Sequence, residues 1–196
     1  MDRASSKPIG AGGFPPGLAS LVAEAGQTAK PRPVERWNPV YCGEIDMRIA
    51  ADGTWSYGGS PIAREALVRL FASILRREPD GRHVLVTPVE RVGIVVEDAP
   101  FLAVEVASEG EGRSRVLTFR TNVGDIVAAG AEHPLRFEAE AETGGLKPYL
   151  VVRGGLEALA TRTLALELVA LADDEDGRPG LWSGGIFFAF HGSGLG

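Results

Sequence analysis

Hydrophobic and polar residues alternate over much of this chain, and the alternation predicts a protein dominated by short strands. Leu135, Phe137 and Ala139 against Arg136, Glu138 and Glu140 show the clearest period of two, which suits a sheet with one wet face. Ile45, Met47 and Ile49 alternate with Asp46 and Arg48. Asp52-Gly53 then supplies turn chemistry, and residues 54–57 return as the second strand of a hairpin. The same pattern predicts strands over residues 82–87, 92–97, 101–107, 115–121, 125–128, 134–140 and 148–153, with a last, buried strand over 186–190. The connections between them are short and turn-rich, so these strands are expected to be antiparallel.

Two stretches switch to helical spacing, residues 61–77 and 156–171. Gly58-Gly59 makes a corner, Ser60 suits an N-cap and Pro61 the first helical position. At about 100° per residue, Leu67, Leu70, Phe71, Ile74 and Leu75 line one face of the first helix, and Arg64 projects between Phe71 and Leu75. In the second helix, apolar nearly all round and so expected to cap the sheet, Arg162 projects between Val169 and Leu166. A guanidinium stays charged and is costly to bury without a carboxylate or a ligand anion. Two readings follow: an internal pair with a carboxylate, or a pair of anion receptors facing a crevice.

Residues 1–36 carry five prolines and five glycines between Pro8 and Pro33, too many for regular ladders apart from a short helix near 18–25. This predicts a flexible arm over 1–35, an N-terminal α+β unit over 36–88 and a C-terminal β unit with a capping helix over 89–196. The acidic run at 173–176 reads as a solvated loop, and 191–196 as a flexible tail.

The chain has 196 residues, 44% hydrophobic and 23% charged, as a globular protein does. Its net charge of −6, without a basic stripe, argues against a nucleic-acid partner. Cys42 stands alone, which excludes an intrachain disulfide and suits a cytoplasmic location. No stretch approaches a membrane span, and the first residues lack an apolar signal core.

Catalytic signatures fail on spacing. Gly180-Leu181-Trp182-Ser183-Gly184 is one residue off the nucleophile-elbow order, and His83, His133 and His191 are scattered. No catalytic residue, metal or cofactor is expected. Trp182-Ser183-Gly184-Gly185 echoes Trp55-Ser56-Tyr57-Gly58-Gly59 and could mark a repeated unit. Trp55 and Trp182 could stack on a planar ring. Glu97, Asp98 and Asn122 stand at strand ends, where loops display binding groups.

The stretches DGTWSYGGSPIAR (52–64), LVTPVERVGIVVEDAPFLA (85–103), PYLVVRGGLEA (148–158) and WSGGIFF (182–188), with Trp37-Asn38-Pro39 and Thr121-Asn122, resemble the bacterial domain-of-unknown-function family 1285. The resemblance spans residues 36–190. It implies two related α+β units, antiparallel sheets each with one main helix, the second superficially like a pleckstrin-homology domain. It also implies a pocket where the units meet, a nucleotide-like ligand and a role in signal transduction, and it brings no catalytic residue.

Together these readings predict a non-enzymatic, cytoplasmic sensor or adaptor that binds a small anionic, nucleotide-like ligand in the crevice between its units. The candidate ligand-binding residues are Trp55, Arg64, Glu97, Asp98, Asn122, Arg162, Trp182 and Ser183. The alternatives are a protein-interaction module that holds a signalling partner without a small molecule, and a hydrolase acting through Ser183 or a carboxylate pair.

Overall fold

The computed structural model describes residues 13–23, 32–140 and 143–190. Most of the arm expected over 1–35, and the tail over 191–196 with His191, lie outside the described residues. The chain divides into two units, Met1–Glu97 and Asp98–Gly196, nine residues beyond the division drawn from the sequence.

The first unit opens with helix α1 (Pro16–Ala23) and continues through strands β1 (Tyr41–Ile49), β2 (Trp55–Tyr57) and β3 (Ser60–Pro61). Helix α2 (Glu65–Ser73) follows, then β4 (Leu75–Arg77), β5 (His83–Val86) and β6 (Arg91–Val96). These strands form one sheet in the order β3-β2-β1-β6-β5-β4. The expected hairpin is present, with Ile49 opposite Trp55 and Met47 opposite Tyr57. Its core holds Trp55, Ile49, Phe71, Ile74 and Leu85, all but sealed from solvent. Fully burying an apolar side chain of this kind contributes roughly 1.5–3 kcal/mol.

The second unit runs through β7 (Phe101–Glu109), β8 (Val116–Thr121), β9 (Ile126–Ala128), β10 (Leu135–Ala139), β11 (Leu146–Arg153) and β12 (Leu156–Ala160). Their sheet has the order β10-β11-β12-β7-β8-β9. Numbered from its own first strand and read from the other edge, that is the order of the first unit. Two units of one topology follow, in an α+β chain.

One strand pair in each sheet departs from the antiparallel expectation. First and last strands lie side by side and parallel, β1 on β6 and β7 on β12, with Leu159 opposite Leu102. Parallel neighbours need a long connection, and here the four intervening strands supply it.

Beyond β12 the chain forms helix α3 (Arg162–Ala170) and a three-stranded sheet, β13 (Asp173–Glu175), β14 (Arg178–Ser183) and β15 (Ile186–Ala189). The helix expected over 156–171 is therefore a strand followed by a shorter helix. Leu156, Ala158 and Ala160 are buried in alternation and held between β11 and β7. The acidic run is an edge strand ending in an Asp176-Gly177 turn, both residues at positive φ (55° and 77°).

Candidate functional site

Arg64 and Arg162 do not sit inside apolar stripes. Ser60 and Pro61 pair with Tyr57 and Ser56 as the edge strand β3, so α2 begins only at Glu65 and Arg64 becomes its N-cap, without a side-chain capping bond. Likewise, β12 runs to Ala160, Thr161 is the N-cap of α3 and Arg162 its first residue. Both arginines are exposed, and neither has an ion pair among the described residues. The internal pair with a carboxylate is thus not found for either arginine among the described residues, and neither points into a core.

The paired glycines are turn chemistry. Gly58-Gly59, Gly154-Gly155 and Gly184-Gly185 all take positive φ, between 51° and 77°, and each joins two adjacent antiparallel strands. Two-residue hairpins with this twist require such angles at both positions. The echo between Trp55–Gly59 and Trp182–Gly185 is thus a shared hairpin, and Gly58-Gly59-Ser60 does not open a helix.

Most other candidates are engaged within their own units. Trp55 is 2% exposed and stacks on Phe71 with ring centroids 6.3 Å apart. Glu97 accepts from the Arg48 guanidinium and from the Ala51 amide, each at 3.1 Å, which ties down the end of β1. Asn122 Oδ1 accepts from the Leu102 amide at 3.0 Å while its own amide donates to the Leu102 carbonyl at 2.9 Å. Trp182 packs on Phe187 and carries the Arg113 guanidinium over its ring. Ser183 is fully buried, its hydroxyl donating to the Ala129 carbonyl at 2.7 Å and accepting from the Leu117 amide at 2.9 Å. Such a hydroxyl is not exposed for nucleophilic attack.

Asp98 leads to a site. Its carboxylate pairs with the Lys147 ammonium and accepts from the Tyr149 hydroxyl at 2.8 Å. The hydrogen bond from Lys147 to Asp98 raises the lysine above its ordinary value, and burial raises the tyrosine. Lys147 in turn lines a pocket of about 240 Å3 in the second unit, with Glu140, Leu159, Arg162, Leu166 and Val169. The structure therefore gathers Arg162 and the partner of Asp98 at one pocket. It does not place Trp55, Arg64, Glu97, Asn122, Trp182 or Ser183 in the lining.

Arg162 holds an unusual position. The N-terminal end of a helix carries partial positive charge, which disfavours a cation, and the first turn of α3 contains no acidic residue. Leu166 and Val169 are 67% and 46% exposed on the same helix. The sequence signal for this site was the apolar character of α3 on all sides. Glu140 and Lys147 gave none, standing beside a turn where charged residues are common. Among the described residues no group of three or more histidines, cysteines or carboxylates is placed to hold a metal. No described helix is long and apolar enough to cross a membrane.

Two sheets of one strand order, each extended by a helix, define a duplicated α+β protein. The family models "Domain of unknown function (DUF1285), N-terminal domain" and "Protein of unknown function (DUF1285), C-terminal domain" match residues 32–99 and 100–190. The chain belongs to the DUF1285 family. It is similar to a DUF1285 family protein of Silicibacter pomeroyi DSS-3, with 53% identity, a TM-score of 0.81, and coverage of 87% of this chain and 93% of that one. It is also similar to a DUF1285 family protein of Shewanella baltica OS155, with 28% identity, a TM-score of 0.51, and coverage of 66% of this chain and 94% of that one. No curated protein matches the chain.

Proposed function

We propose that this chain is a non-enzymatic binding protein of bacterial signal transduction, whose ligand is a small molecule bearing a negative charge. The observation that carries this reading is Arg162, a guanidinium with no ion pair among the described residues, at the positive end of α3 and in the wall of an apolar pocket. Small-molecule sites are concave and mostly apolar, with a few polar groups that fix orientation. A bound anion would offset both the guanidinium and the helix terminus. The nucleotide-like class implied by the family resemblance belongs in the first panel of ligands. The pocket sets a size test on it: a 150 Å3 cavity takes benzene, so this one takes about ten non-hydrogen atoms, and a nucleotide has more than twice that.

Calorimetry of the full chain against nucleotides and small carboxylates tests the reading. At least one is expected to bind, and Arg162→Ala to weaken it more than tenfold. A silent panel, or binding indifferent to Arg162, overturns it.

A second reading, a module that holds a signalling protein, is favoured by β9. Ile126 is 73% exposed on this edge strand, and an exposed edge can accept an added strand. Capture of a stoichiometric partner that Ile126→Lys abolishes would support it.

A further inference from the structure

Arg162 and Glu140 line the same pocket, yet they form no ion pair with each other, and neither is paired with any other charge among the described residues. Among the described residues the Glu140 carboxylate accepts from the Thr143 hydroxyl, which orients it without neutralising it. Lys147, the other cation of the lining, is already neutralised by Asp98. Among the described residues the pocket therefore presents one unspent positive and one unspent negative charge, separated by more than ion-pair distance. The rest of the lining includes Leu146, Leu159, Leu166 and Val169 and no aromatic ring.

We infer that the pocket is a receptor for a free aliphatic α-amino acid of the size of leucine. The inference rests on the anion-binding reading above and narrows it to a zwitterion. The ligand carboxylate meets Arg162 at the start of α3, where the helix terminus adds to the attraction. Its ammonium meets Glu140, and its side chain lies on the leucines and Val169. Each charged group of the lining then has one counterpart, which a simple carboxylate would not achieve, since Glu140 would be left facing it. A simple amine would leave Arg162 unanswered in the same way. Leucine has nine non-hydrogen atoms, within the roughly ten that the volume admits by comparison with benzene in 150 Å3. Whole nucleotides exceed that volume, and the lining offers no ring for a base to stack on.

The test is calorimetry of the full chain with L-leucine, L-isoleucine and L-valine. It includes 4-methylpentanoate, which is leucine without its ammonium, and 3-methylbutylamine, which is leucine without its carboxylate. Both deletion analogues are expected to bind more than tenfold more weakly than leucine. Arg162→Ala should lose leucine more than tenfold. Glu140→Gln should weaken leucine while leaving 4-methylpentanoate unchanged or tighter, a reversal that loss of folding could not produce. If 4-methylpentanoate binds as well as leucine and Glu140→Gln changes nothing, the zwitterion is overturned and the anion-binding reading stands. If nothing in the set binds but a nucleotide does so through Arg162, the amino acid is likewise overturned. If no ligand of either panel binds, both fall together.

Discussion

The backbone amide of Leu18 donates a 2.8 Å hydrogen bond to the buried carboxylate of Glu90, which lies 72 residues further along the chain. Through it the start of α1 is fastened to the first unit. Around this bond Leu18 is fully buried, Phe14 packs on Tyr57 and Phe71 with centroids 4.6 and 5.3 Å away, and Gly17 abuts Thr87.

Glu90→Ala should release α1. The change leaves a buried amide without its acceptor, at a cost of about 1–3 kcal/mol. Hydrogen exchange is expected to show α1 amides losing protection while β5 and β6 keep theirs. Gly17→Ala should act in the same direction, because a Cβ there would stand 2.7 Å from Thr87 Oγ1. Unchanged protection in both variants would mean that apolar packing alone holds the helix.

Ser183→Ala is expected to lower stability by about 1–3 kcal/mol, because the Leu117 amide and the Ala129 carbonyl both lose their partner inside the core. Chemical denaturation measures it directly. A silent substitution would show that water or a local shift satisfies both groups.

Arg162→Glu should stabilise the protein by about 0.3–1 kcal/mol while abolishing anion binding, since a negative charge suits the first turn of α3 and a positive one does not. Such opposition between stability and binding marks a residue retained for its ligand. A destabilised variant would point to a structural partner for Arg162.

Stability should fall at alkaline pH through Lys147 and Tyr149. Both hold their protons more tightly when folded: the Asp98 hydrogen bond raises the lysine, and burial raises the tyrosine. Their contribution is complete below the ordinary values of 10.0 for the tyrosine and 10.5 for the lysine, and is lost as the pH climbs from there through the folded values. Urea midpoints followed across that window should decline, and Asp98→Asn should flatten the decline. An unchanged slope in the variant would remove Asp98 as its cause.

Strands with one wet face were legible: Leu135 and Phe137 are buried where the alternation put them, with Arg136 and Glu138 outside. Residues 156–160 were not, because Leu, Glu and Ala favour helix, and here pairing on both sides by β11 and β7 overrides propensity. That one error displaced Arg162 from a helix terminus to a helix face, and the same slip at Ser60 displaced Arg64. Element ends are where periodicity carries least information, and both arginines sit at ends. The Asp176-Gly177 turn was there to be read, since Asp-Gly favours a tight hairpin, but the surrounding acids masked it as loop. Glu140 and Lys147 enter a pocket only through the pairing of β10 with β11, a relation between residues that neither residue announces alone.

Joining first and last strands at the middle of each sheet has a consequence for how the protein is made. During synthesis a unit's first strand must wait, unpaired on its inner side, until the ribosome has delivered the final one. A chain halted before Arg91, or before Leu156, would hold two detached ribbons with raw central edges. Each of the two six-stranded sheets thus becomes whole only with its last strand.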